Sequence, residues 1–161
     1  MRSSITKRLA LIAMIPATLL GLVMVAAPAQ AADVSTDKMQ GDIAYLTNKQ
    51  RALHGCKPLH LDARLTTASL GHSAYMAQTG SFSHTGRGGS DFVRRDKAAH
   101  YPRPLAENIA FGYRTGLEVV KAWMASPGHR ANILNCKATT VGVGAVYAAG
   151  GTTYYTQDFG N

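Results

Sequence analysis

Cysteine is scarce: only Cys56 and Cys136 occur in 161 residues, and they form no Cys-x-x-Cys pair, so nothing points to thiol redox chemistry. Acidic residues are also few, with nine Asp and Glu against 17 Lys and Arg and a net charge of +8. The basic residues are dispersed, without the aromatic-studded basic stripe that marks a nucleic-acid binder. After Val25 no second long apolar run follows, so no further membrane span is expected. There is no Gly-x-Ser-x-Gly nucleophile elbow and no His-Glu-x-x-His zinc helix. Gly86–Ser90 is glycine-rich but lacks the lysine and Ser/Thr of a phosphate loop. Ser35 and Lys38 spell Ser-x-x-Lys, without the Ser-Asp-Asn and Lys-Thr-Gly companions of that chemistry. No internal repeat or low-complexity domain is present.

What is present begins with an export signal. Arg2, Lys7 and Arg8 precede an apolar run from Leu9 to Val25, and Ala29-Gln30-Ala31 is a small-x-small cleavage site. Residues 1–31 therefore read as a signal peptide, with an uncleaved anchor as the alternative, and residues 32–161 as one domain. The mature chain of about 130 residues is long enough for one core. Without the three leader cations, 14 Lys and Arg stand against nine acids, a net of +5. That excess suits anionic envelope polymers or lipid headgroups, and equally serves solubility. In an oxidising compartment the two cysteines pair into one disulfide. Closing a loop of about 80 residues stabilises by roughly 4–5 kcal/mol in the chain-entropy model.

Helical periodicity runs through Met39, Ile43, Leu46, Gln50 and Leu53, with Ser35 or Thr36 as cap and Gly55 as stop. A second helix is capped by Asp62, carries Leu65, Ala68, Ser69, His72 and Met76 on one stripe, and ends at Gly80. His72 is thus an inward residue, read as a satisfied core histidine. A short helix is expected over 91–99. The strand at 108–111 leaves Glu107 at its entry. Thr115 and Glu118 form a capping box for a helix over 116–125, in which Trp123 packs inward. Ser126 and Pro127 suit the N-cap and first position of another short helix. Val141, Val143, Ala145 and Tyr147 alternate, as do Thr153, Tyr155, Gln157 and Phe159, with Ala148–Gly151 turning a hairpin between them. Gly142 and Gly144 share the other face, where another backbone must approach closely.

Three segments carry the chemistry in chain order: Phe82-Ser83-His84-Thr85, Glu107-Asn108, and Trp123 followed by Ser126-Pro127-Gly128-His129. At the first turn of its helix, the His129 imidazole is disfavoured from protonation. In this order, over about Ile43 to Phe159, the segments resemble the CAP superfamily of cysteine-rich secretory, antigen 5 and pathogenesis-related proteins, and above all its bacterial secreted SCP-domain branch. The resemblance implies an α+β fold, a three-layer α-β-α sandwich with helices on both sides of a small antiparallel sheet. It also implies a cleft of two histidines and two glutamates, which in some members binds a divalent metal. Carried over by motif, the cleft residues are His84, Glu107, Ser126 and His129. Ser126 stands where the second glutamate is usual, Met124 replaces an aromatic residue, and Thr85 replaces a common serine.

The surviving metal candidates are His84, Glu107 and His129. Two imidazoles, a carboxylate and a water suit zinc, but a missing carboxylate weakens divalent affinity. The other reading is a hydrogen-bonded network in which Glu107 orients the histidines. Three functions follow. The preferred one is a secreted, extracellular, non-enzymatic binder of a small, lipid-like or envelope-derived ligand. The second is a metal-assisted hydrolase of extracellular or cell-envelope material, with water activated by His84 or Glu107. The third is a protein-interaction module whose cleft is structural. Fold alone does not decide among them.

Overall fold

A computed structural model describes residues 34–161. The expected leader over 1–31 lies outside the described residues.

The described residues form five α-helices and a four-stranded sheet. Helix α1 spans Thr36–Leu53, and Ser35 Oγ accepts from the Lys38 N–H at its start. Its buried stripe is Met39, Ile43, Ala44, Thr47 and Arg51. The expected continuation through Gln50 and Leu53 fails in the last turn: Leu53 is 70% exposed and Arg51 is fully buried. The cause is a set of carbonyls awaiting a donor. The Arg51 guanidinium donates to the carbonyls of Lys57, Ile133, Asn135 and Ala138 at 2.8–3.0 Å. Lys57 follows α1, while Ile133, Asn135 and Ala138 lie close together later in the chain, and one arginine fork reaches all four.

Strand β1 is only His60–Leu61, and helix α2 spans Ala63–Thr79. Asp62 caps α2 by accepting from the Arg64 N–H, and Gly80 ends it in the left-handed conformation (φ 68°). Every residue of the expected α2 stripe is buried. Helix α3 (Phe92–Ala98) is capped by Asp91. Strand β2 (Pro104–Phe111) begins four residues earlier than the alternation suggests. Helices α4 (Gly116–Ala125) and α5 (Pro127–Ile133) follow, then the hairpin of β3 (Thr140–Tyr147) and β4 (Thr153–Gly160).

The sheet order is β1-β3-β4-β2. β2, β3 and β4 pair antiparallel, but β1 runs parallel to β3, so the sheet is mixed rather than wholly antiparallel. β2 is an edge, which is why Pro104 can open it without breaking a ladder; the register shifts between Pro104 and Ala106.

Two layers cover the sheet. Val141, Val143, Ala145, Tyr155 and Phe159 pack with Met39, Ile43, Val119, Trp123 and Ile133 from α1, α4 and α5. On the other face α2 lies directly on β3. A Cβ at Gly142 would sit 2.1 Å from the Leu65 carbonyl carbon, and one at Gly144 2.4 Å from the Leu70 nitrogen. The two glycines therefore set the helix–sheet spacing, as their shared face suggests. Trp123 is a core residue whose indole N–H donates to the Ile109 carbonyl at 3.0 Å. Cys56 and Cys136 form the expected disulfide, with Cα atoms 5.0 Å apart. It ties the segment after α1 to the segment after α5, beside the carbonyls that Arg51 holds.

Candidate functional site

The site lies along β2. Glu107 points to the α2 and α3 side, and its side chain is almost fully buried. A carboxylate in that position needs donors. It has two. His84 Nδ1 donates to Oε1 at 2.7 Å, and the Arg95 guanidinium of α3 donates to Oε2. Arg95 also donates to the carbonyls of His84 (3.1 Å) and Ser90 (2.8 Å), so one cation fixes the loop that carries His84. Because Glu107 accepts from Nδ1, that nitrogen carries the proton, and the Nε2 edge of the imidazole remains available to a ligand. The His84 side chain is 58% exposed.

Asn132 of α5 closes the other side of the strand. Its amide donates to the Glu107 carbonyl at 3.2 Å and to Asn108 Oδ1 at 2.9 Å. Asn108 in turn donates to the His129 carbonyl and to Gln157 Oε1. His84, Thr85, Asp91, Phe92, Leu105, Ala106, Glu107 and Asn132 line an open cavity of about 400 Å³. Its floor is the start of β2, and its walls come from the His84 loop, α3 and α5.

Of the four residues expected in the cleft, His84 and Glu107 meet directly. His129 sits nearby, with its ring 6.4 Å from that of Trp123. Its pKa is lowered by burial and then by the charge of His84. The expected turn-one position is right, but desolvation leads the effect. Ser126 is half-buried at the α4–α5 junction. Its N–H donates to the Trp123 carbonyl and its carbonyl accepts from the Arg130 N–H, while its hydroxyl makes no capping bond. Ser126 thus holds the N-cap position, as expected, but without the expected side-chain hydrogen bond. Neither Ser126 nor His129 lines the cavity.

His72, expected as a satisfied core residue, is buried, and its Nε2–H donates to the Ser83 carbonyl at 2.9 Å. Its Nδ1, however, has no partner among the described residues, and Nε2 lies 3.9 Å from Glu107. Burial lowers its pKa against the opposing pull of Glu107. It is a neutral imidazole that holds the His84 loop from beneath.

The donor set does not fit zinc. Glu107 gives one oxygen to a guanidinium, which would face any cation bound there. Among the described residues no three His, Cys, Asp or Glu side chains converge to hold a metal. The contacts present around Glu107 are those of a hydrogen-bonded network with His84 and Arg95. Arg95 and Asn132 do not stand out in the sequence as site residues, and Asn108 does so only as the neighbour of Glu107. The available signal was the charge balance: a buried Glu107 requires a buried cation, and α3 carries arginines.

The chain matches the family model described as "CAP: Cysteine-rich secretory protein family" over residues 44–159; it belongs to that family, in its bacterial type. It is 37% identical over 126 residues to an uncharacterized protein, YkwD, of Bacillus subtilis, covering 78% of this chain and 48% of that protein. It is 35% identical over 118 residues to an uncharacterized membrane protein, YlbC, of the same organism, covering 73% and 33%. A crystal structure of an extracellular protein containing an SCP domain from Bacillus anthracis superposes with a TM-score of 0.69 at 32% identity, over 81% of this chain and 45% of the other. The chain thus spans about half or less of these proteins' lengths. An outer surface protein of Borrelia burgdorferi shares the fold with a TM-score of 0.73 at 19% identity, over 80% of this chain and 96% of that one.

Proposed function

We propose that this chain is an exported CAP-domain protein that binds a ligand outside the cytoplasm without turning it over. The observation that carries this reading is the saturation of Glu107 by Arg95 and His84. A general base must be free to take a proton from its substrate or water. Here the carboxylate is buried and committed, so it serves to orient His84. The cavity beside it offers Leu105, Ala106 and Phe92 as an apolar wall and His84, Thr85, Asp91 and Asn132 as polar contacts. Few polar groups on an apolar wall suit a small amphipathic ligand, lipid-like or derived from the cell envelope. Export is supported by the leader-like residues 1–31, by the disulfide, and by the extracellular description of the B. anthracis relative. Among the described residues no helix is long and apolar enough to cross a membrane. The basic balance of the chain favours an anionic envelope polymer or lipid surface as neighbour.

The test is organic extraction of the purified native protein with mass spectrometry, then rebinding of the extracted compound. Wild type should rebind it, and His84→Ala should weaken binding about tenfold, or ~1.4 kcal/mol. Turnover of any member of a broad ester, amide and glycoside panel, abolished by Glu107→Gln, would overturn the binder reading.

A further inference from the structure

At one end of the sandwich the sheet outruns the helix that covers it. Helix α2 stops at Thr79, and Gly80 turns the chain away in the left-handed conformation. Strand β2 runs on to Phe111, opposite Tyr154 of β4. Met76, near the end of α2, packs with Ile109 and Tyr154, and Ala148 of the β3–β4 turn lies against them. Past that point Phe111 emerges at the end of an edge strand, with a neighbouring strand on one side only. The loop after α2 lays Phe82 against it. The two ring centroids are 4.7 Å apart, and Phe111 stacks in turn on Tyr154 at 5.8 Å. Tyr154 is rooted in the core, whereas Phe82 and Phe111 are 45% and 48% exposed. Apolar rings that hold one another in place and stand half in water mark a contact surface.

The segments around the pair decide what it contacts. Residues 80–90, 111–116 and 148–152 contain no Asp, Glu, Asn or Gln. They do contain Arg87 and Arg114, both exposed and neither in an ion pair among the described residues. The Arg87 guanidinium lies 5.6 Å from the centroid of Tyr75, one turn before the end of α2. Glu118, the nearest acid after Arg114 in the chain, is turned back onto the Arg114 N–H. A sugar-binding platform relies on carboxylates or amides beside its aromatic rings to hold the hydroxyls, and these segments have none. A stable protein pair takes about 800 Å² from each partner. Two half-exposed phenylalanines offer roughly 200 Å², since a whole aromatic side chain buries about 150–250 Å². An anionic bilayer asks for less area: rings enter the headgroup boundary, and cations stay among the phosphates.

We propose that this end of the sandwich rests on an anionic lipid surface, with Phe82 and Phe111 as the inserted side chains and Arg87 and Arg114 against the phosphates. Two rings and two cations make a weak, reversible contact that salt releases. Phe82 stands two residues before His84, so docking brings the loop that carries the cleft's imidazole to the lipid surface. The proposal takes from the proposed function only its anionic neighbour. It needs no ligand in the cleft, so vesicle binding and rebinding of an extracted compound can each fail alone.

Flotation of the exported protein with vesicles of phosphatidylglycerol and phosphatidylcholine, or of phosphatidylcholine alone, tests it. The protein should float with the anionic vesicles at low salt and be released at about 0.5 M salt. Phe82→Ala and Phe111→Ala should each lower the partition coefficient about fivefold. Arg87→Gln and Arg114→Gln should each lower it by about as much. Tyr45→Ala removes a more exposed aromatic from the middle of α1, in the other layer, and should change nothing. In wild type, a spin label on the lipid headgroups should broaden the amide signals of residues 81–83 and 111–114 and leave those of α1 sharp. That reading needs no variant and separates the patch from any retained leader. Absence of flotation on anionic vesicles, broadening confined to other residues, or partition unaffected by the combined Phe82→Ala and Phe111→Ala changes would overturn the proposal. So would a dimer, or retention on envelope glycan, that those changes abolish while vesicles are not bound.

Discussion

Replacing Arg51 by methionine should cost about 2–4 kcal/mol of stability. The side chain is fully buried and has no carboxylate partner among the described residues; four main-chain carbonyls solvate its charge. Methionine fills a similar length but donates nothing. Two of the abandoned acceptors, the Ile133 and Ala138 carbonyls, are buried bonds, and each orphaned buried acceptor costs roughly 1–3 kcal/mol. The Lys57 and Asn135 carbonyls are partly exposed and recover water. Together the two buried acceptors would cost about 2–6 kcal/mol, of which the guanidinium desolvation that methionine avoids offsets a part. The same desolvation lowers the arginine's pKa. The net is a moderate loss, yet a large share of the roughly 5–15 kcal/mol that a domain has in total. Urea unfolding of wild type and Arg51→Met, with unchanged m-values, measures it. Arg51→Lys is the sharper control. An ammonium is more strongly hydrated and cannot reach four carbonyls, so lysine should destabilise at least as much as methionine. A lysine variant as stable as wild type would refute the claim that fork geometry, rather than charge, fastens α1 to the segment before β3.

Cys136→Ser should lower stability by roughly 2–5 kcal/mol, read from the same unfolding curves. Combined with Arg51→Met, the loss should be less than additive, because both changes release the segment around Leu134–Ala138. Gly144→Ala places a methyl 2.4 Å from the backbone of Ser69 and Leu70; overpacking costs about 1–3 kcal/mol and more where backbone must move, so a thermal midpoint unchanged from wild type would show that α2 can slide off β3 freely.

Local chemistry made much of the fold legible. The caps Ser35, Asp62 and Thr115, the left-handed Gly80 and the alternation of β3 and β4 each act within a few residues of themselves. The Thr115 box departs only in detail: Thr115 Oγ1 accepts from the Glu118 N–H, while Glu118 reaches back to the Arg114 N–H rather than to the cap. Gly142 and Gly144 even reported a distant contact, because only a missing side chain admits another backbone. The two-residue β1 is too short to alternate. β2 hid its first half behind Pro102 and Pro104, since proline reads as a strand breaker unless the strand is known to be an edge.

The site was legible only in its family motifs. His84 and Glu107 are joined by a hydrogen bond across 23 residues of sequence, and no periodicity forces that meeting. The polar partners were harder still, because a buried charge breaks the hydrophobic pattern that reveals everything else. Arg51, Arg95, Asp96 and Asp158 all occupy inward positions where the pattern expects apolar residues, and each therefore reads as a surface residue until its partners are known. Asp158 is the clearest instance. It stands between Gln157 and Phe159 on a strand buried along its whole length, opposite Glu107, and alternation alone would face it to water. On the physics of burial, inward charges are retained only where they are paired, hydrogen-bonded or neutralised by a proton. Arg51 is hydrogen-bonded to carbonyls and Arg95 is paired with Glu107. Asp96 is buried beside the same cluster, where desolvation and the charge of Glu107 push its carboxyl up against the pull of Arg95.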